Sequence, residues 1–178
     1  MKCNRTITDG YIIVAPKVTV MRLRLSLLSA FCIVCLSQPA LGMTAPWPNT
    51  PSRTALQTPY GTLEVRSSDY VYESHLLFDG KRVQPDIHGI INITYAYRVD
   101  KARVVLIAVD TGSITCPITY HWMTIRKDGY RLTEPFGSCS EDIRVATRGK
   151  QFVLSTPNLN KAGAIDTWIF DGRTVRRR

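Results

Sequence analysis

Beyond residue 42 the sequence holds only two cysteines, Cys116 and Cys139, and three histidines, His75, His88 and His121. No C-x-x-C, H-x-H or H-x-x-x-H spacing occurs there, so no redox dithiol and no metal site is expected, and no cofactor. Neither Ser113 nor Ser138 has the G-x-S-x-G surroundings of a serine hydrolase, and no glycine-rich loop cradles a phosphate. No segment sustains a capped 3.6-residue apolar period, which excludes a helical domain. The apolar run Leu25–Leu36 falls short of the roughly 20 residues that a membrane-spanning helix needs.

What that run does fit is an export signal. Met21-Arg22-Leu23-Arg24 is a basic n-region, Leu25–Leu36 the apolar core, and Ala40-Leu41-Gly42 the small-residue cleavage site. Residues 1–20 fit no part of this pattern, so Met21 is read as the start and 21–42 as the signal peptide. Cys32 and Cys35 are read as part of the apolar core. The expected location is periplasmic or secreted.

Export changes the arithmetic of the chain. The formal charge of +9 becomes +5 over residues 43–178, with 18 basic against 13 acidic residues. Three of those charges are Arg176, Arg177 and Arg178, expected to form a solvated tail with at most peripheral contact to anionic lipid. A nucleic-acid partner is not indicated. Cys116 and Cys139 remain as an even pair in an oxidising compartment and are expected to form a disulfide.

Residues 43–59 hold Pro46, Pro48, Pro51 and Pro59 without periodicity and read as an extended leader. From residue 60 to 178 the chain reads as one β domain of successive hairpins. Tyr70–Phe78 turns at Asp79-Gly80, Ile90–Val99 at Asp100-Lys101, and Ile118–Ile125 at Asp128-Gly129. Ile143–Thr147 turns at Arg148-Gly149, and Asp166–Phe170 at Asp171-Gly172. Ala102–Val109 is apolar on both faces, as a central strand should be. The fold class expected is all-β, an antiparallel meander forming a sandwich or open barrel. Phe78-Asp79-Gly80-Lys81-Arg82-Val83 and Phe170-Asp171-Gly172-Arg173-Thr174-Val175 are alike, which raises the question of an internal repeat.

Asp110-Thr111-Gly112-Ser113 follows the apolar strand and is similar to the catalytic loop of aspartic peptidases. That resemblance implies a retroviral-type homodimer in which two Asp110 carboxylates share a proton. Only one such loop is present, and an Asp at a strand end is also ordinary turn chemistry. A second resemblance rests on Gly112-Ser113-x-x-Cys116-Pro117-x-x-Tyr120, Phe136-Gly137-Ser138-Cys139-Ser140 and the terminal Phe170-Asp171-Gly172. The chain resembles small secreted proteobacterial proteins of unknown function over residues 60–175. This implies a stapled β domain and says nothing of activity.

With no catalytic set in view, the leading expectation is a non-enzymatic periplasmic binding protein. Its partner is expected to be another protein, as for an inhibitor or immunity protein against an envelope-directed toxin. Strand aromatics (Tyr70, Tyr72, Tyr95, Tyr97, Tyr120 and Trp122) are the candidate anchors, with Tyr97, Tyr120 and Trp122 foremost, since Tyr and Trp are favoured at interfaces. An alternative is an envelope-structural module contacting lipopolysaccharide or peptidoglycan.

Overall fold

The structure, a computed structural model, describes residues 46–69 and 72–178. The segments read above as an early start and an export signal, and Tyr70, lie outside the described residues. Twelve strands form three consecutive four-stranded antiparallel meanders. The first contains β1 (Ala55–Thr58), β2 (Gly61–Ser67), β3 (Ser74–Phe78) and β4 (Lys81–Arg82). The second contains β5 (Ile90–Val99), β6 (Ala102–Asp110), β7 (Ile118–Arg126) and β8 (Gly129–Leu132). The third contains β9 (Arg144–Arg148), β10 (Gln151–Pro157), β11 (Ile165–Phe170) and β12 (Val175–Arg177). No helix occurs among the described residues.

The side-chain alternation of β6 explains how the sheets stack. Val105, Ile107 and Val109 point to one face, Val104, Leu106 and Ala108 to the other, and all are buried. The odd-numbered set joins Leu63, Leu76 and Val83 of the first sheet in one core. The even-numbered set joins Tyr120, Trp122, Phe152, Leu154 and Phe170 in a second core against the third sheet. The molecule is therefore a three-layer β stack whose middle sheet is covered on both sides. Each large apolar side chain so buried contributes about 1.5–3 kcal/mol, which makes the middle sheet the foundation of the fold.

A β-bulge sets the aromatic content of the second core. Ile93 pairs with Ile107 and Ala96 with Val105, so Thr94 and Tyr95 together face Leu106. The extra residue reverses the alternation: Ile91 and Ile93 enter the first core, while Tyr95, Tyr97 and Val99 turn to the second. The Thr94 hydroxyl is buried there and donates to the Leu106 carbonyl at 2.9 Å.

In all three sheets an Asp-Gly pair marks the passage from the third strand to the fourth, at Asp79-Gly80, Asp128-Gly129 and Asp171-Gly172. In the second sheet the turn itself is Lys127-Asp128, and Gly129 opens β8. The likeness of the two Phe-Asp-Gly segments is thus a likeness of position within a meander that occurs three times. At the first of these turns both residues have positive φ, 50° and 76°, as a two-residue hairpin favours.

Two expectations are corrected. The stretch read as a leader is part of the fold from Arg53 onward. Arg53 exchanges backbone hydrogen bonds with Ile93, and Ala55–Thr58 pairs with Gly61–Glu64. Prolines 51 and 59 flank this strand without entering it, which is compatible with a sheet edge. The C-terminal arginines are not a free tail either, since Val175–Arg177 is β12 and pairs with Phe170–Trp168.

Candidate functional site

The Cys116–Cys139 disulfide is formed, closing a loop over 23 residues of separation. A closure of that length stabilises the folded state by roughly 3 kcal/mol. Behind it, Tyr120 and Phe136 exchange backbone hydrogen bonds of 2.8 and 2.9 Å. Gly137, at φ 127°, lies so close to the Tyr120 ring that an added Cβ would stand 2.9 Å from it. Burial pushes the Tyr120 phenol well above its usual pKa, and its hydroxyl donates to the Ser140 carbonyl at 2.8 Å.

Tyr120 and Trp122 have no exposed surface. Tyr97 is half-buried against Phe152 and Trp122, with centroids 5.0 and 6.4 Å away, and burial raises its pKa too. Tyr120 and Trp122 are therefore core side chains of the second inter-sheet space and not interface anchors, while Tyr97 packs partly against the same core. Alternation along β7 identifies two faces but does not reveal that a sheet covers each of them. Tyr72, by contrast, is almost wholly exposed, at 97%.

Asp110 is exposed at the end of β6. Its carboxylate accepts the Gly112 N–H at 2.9 Å, and the Thr111 hydroxyl donates to the Cys116 carbonyl at 2.7 Å. This is an Asx turn leading into the disulfide. The sequence holds one such Asp-Thr-Gly loop, so a peptidase pair requires a second copy.

The three histidines lie apart in their chemistry. His75 Nε2 is 2.9 Å from Arg82 Nη2, and His88 Nδ1 is 3.8 Å from Glu73. His121 is buried and hydrogen-bonded through Nδ1 to the Thr133 carbonyl at 2.8 Å. Burial lowers its pKa against the opposing pull of that bond and of Glu134. Among the described residues no three His, Cys, Asp or Glu side chains converge on a possible metal position.

The densest polar constellation lies beside the disulfide. Asp166, 9% exposed, accepts hydrogen bonds from the Ser138 hydroxyl, from Asn158 Nδ2 at 3.1 and 3.2 Å, and from Arg177 at 2.7 Å. The Ser138 bond, ahead of those from Arg177 and Asn158, holds its pKa below the usual carboxylate value. Arg177 also lies 5.6 Å over the Trp168 ring. With every nearby donor engaged, the cluster ties β12 to β11 and to the disulfide loop.

The outer face of the third sheet is different in kind. Val145, Phe152, Leu154, Trp168, Phe170 and Val175 point inward to the core. Alternation then sends outward Arg144, Ala146 and Arg148 of β9, Val153 of β10, Ile165 and Ile169 of β11, and Arg176 of β12. The pairing register lines up Ala146, Val153, Ile169 and Arg176 in one row. In the next row Arg144 lies across from Ser155 and Thr167, and Arg178 joins it by donating its N–H to the Thr167 carbonyl.

Arg144, Arg148, Arg176 and Arg178 are exposed, and none forms an ion pair among the described residues. No outward position of these four strands carries an acid. The Asp171 carboxylate at the hairpin end accepts the Thr174 and Arg173 N–H groups, both at 2.8 Å, and these bonds, with a smaller contribution from the Arg176 charge, depress its pKa. At the far end Arg144 stacks 5.0 Å over Trp47. The two residues line a cleft of about 430 Å³ with Pro157, Gly163, Ala164 and the half-exposed Ile165.

No sequence motif marks this face, because its basic residues are divided between β9 and the end of the chain around β12. Its trace in the sequence is the i, i+2 spacing of Arg144 with Arg148 two steps on, and of Arg176 with Arg178. No protein family matches the chain, and neither a curated protein nor a solved structure matches it.

Proposed function

We propose that this chain is an exported, non-catalytic binding domain that engages an acidic protein surface through the outer face of its third sheet. The observation that carries this reading is the set of four exposed arginines on one sheet face, none within ion-pair distance of an acid among the described residues. Of the described acids, only Asp171 at the hairpin end is close enough to interact with Arg176. Arginine and tryptophan are favoured interface anchors, and here Trp47 and Arg144 stand together beside the apolar Pro157 and Ile165. The disulfide supports an oxidising compartment. A binding domain of this kind suits an inhibitor or immunity protein directed at an envelope toxin. Contact with lipopolysaccharide phosphates is the second reading, favoured by the outward positions of Arg176 and Arg178 on the same face.

The test compares two charge-matched triple variants on immobilised poly-glutamate. Arg144→Glu/Arg148→Glu/Arg176→Glu alters the face; Lys81→Glu/Lys101→Glu/Lys127→Glu makes the same charge change on hairpin turns of the other two sheets. The wild-type chain and the lysine variant are expected to be retained until salt releases them, and the arginine variant to pass through. Equal loss in both variants overturns the assignment of the face. Retention on vesicles containing lipid A without retention on poly-glutamate transfers the role to the second reading.

A further inference from the structure

Aromatic rings fill most of the space between the second and third sheets. Trp122 stacks on Phe170 with centroids 5.4 Å apart and lies 5.3 Å from Phe152. One end of that space is not filled by rings. Past Trp122 the same face of β7 carries Thr124 and Arg126, and β8 sets Arg131 directly across from Thr124. From the third sheet, the β11–β12 turn contributes Gly172 and Arg173. Together they line a cleft of about 420 Å³.

Three guanidinium groups from two sheets thus border one cleft, so this is a product of tertiary structure and not of a basic run. Arg126, Arg131 and Arg173 are exposed, and none forms an ion pair among the described residues. Asp128 is the one acid on the lining, which leaves a net charge of two. The Thr124 hydroxyl is buried and held only at 3.4 Å from the Gly172 carbonyl. Like charges gathered in this way repel, and a bound anion relieves the repulsion.

We propose that this cleft binds a phosphate monoester, with a sugar or polyol as the remainder of the ligand. Guanidinium groups match phosphate oxygens in paired hydrogen bonds, and a phosphate dianion balances the net charge of the lining. The Thr124 hydroxyl supplies one further donor once its proton turns from the Gly172 carbonyl to the phosphate. The cleft exceeds the size of a phosphate alone, and its polar lining suits hydroxyl groups over an acyl chain. This site is separate from the outer face of the third sheet and does not depend on it.

Calorimetric titration of the full chain with glucose 6-phosphate, inorganic phosphate and glucose tests the proposal. Glucose 6-phosphate is expected to bind saturably, inorganic phosphate more weakly, and glucose not at all. Arg131→Gln and Arg173→Gln should each weaken glucose 6-phosphate by about tenfold or more, the worth of one charge-assisted hydrogen bond. Lys81→Gln, on the first sheet and outside both sites, should leave it unchanged. Unliganded Arg131→Gln should melt no lower than wild type, because a repelling charge has been removed. Inorganic phosphate binding as tightly as the sugar phosphate would overturn the sugar or polyol assignment. No saturable binding of either phosphate, or an affinity that both cleft variants leave intact, would overturn the site itself.

Discussion

Asp166 and His121 show how single buried polar groups depend on their partners. Asp166 is satisfied as a carboxylate by Ser138, Asn158 and Arg177. Asp166→Asn removes the charge from these bonds and is expected to cost about 2 kcal/mol at neutral pH, read from urea unfolding midpoints. The depressed pKa means that this stabilisation is present above the unfolded-state value and is lost as pH falls through the lower folded-state value. The gap between wild type and variant should therefore narrow below about pH 4. His121 has the opposite chemistry, since its neutral form is the one burial favours. Between its lowered folded-state pKa and about 6.5 the unfolded chain binds the extra proton, so stability falls as pH drops through that window. His121→Gln is expected to flatten this acid limb. Unfolding midpoints at a series of pH values check it, and an unchanged slope would contradict it.

At the scale of strands, much was legible because hairpin turns are chemically distinct. Asp-Gly, Arg-Gly and Asp-Lys dipeptides between apolar runs located β3 to β11, whereas β12 begins only at Val175, where the hairpin pattern ends. The doubly apolar Ala102–Val109 marked the strand that both cores share. The first strand was hidden by flanking prolines, whose composition signals a leader while leaving an edge strand sterically possible. The bulge at Thr94-Tyr95 was also hidden, because strict alternation in Ile90–Val99 places Tyr95 and Tyr97 on the face of Ile91 and Ile93. Of the candidate site, the disulfide was readable from the two cysteines beyond residue 42. The arginine face was not, because its rows cross strands distant in sequence.

The junction between the first two sheets provides an element-scale test. Gly89, at φ 131°, enters β5 with its α-carbon against the Asp110 carbonyl, and an added Cβ would come within 2.2 Å of that oxygen. The Gly89 carbonyl also accepts the Ser74 N–H at 2.9 Å, joining β3 to the start of β5. Gly89→Ala must displace the end of β6, and its cost is expected to exceed about 2 kcal/mol. Gly80→Ala meets no atom within 4 Å and should cost only the left-handed backbone penalty, about 1 kcal/mol. Equal unfolding midpoints for the two variants would contradict the packing described at this junction.

For the whole molecule, three meanders in series leave two outer faces of unlike character. The first sheet presents a mixed surface in which Arg66 pairs with Glu64 at 3.6 Å and Arg82 with Asp86 at 3.3 Å. The third presents arginines without acids. A stack built this way separates stability, which resides in the middle sheet and its two cores, from the recognition proposed for an outer layer. Substitutions of Arg144, Arg148 or Arg176 should accordingly change binding while leaving unfolding midpoints within about 0.5 kcal/mol of wild type, as for surface positions generally.

The measurement that tests this division most directly is a titration of the labelled chain with poly-glutamate, followed through the arginine Nε–Hε resonances. The signals of Arg144, Arg148, Arg176 and Arg178 are expected to move together and to return on addition of salt, while those of Arg66, Arg82 and Arg98 stay in place. Shifts spread evenly over all arginines, or concentrated on the first sheet, would contradict the assignment of recognition to the third.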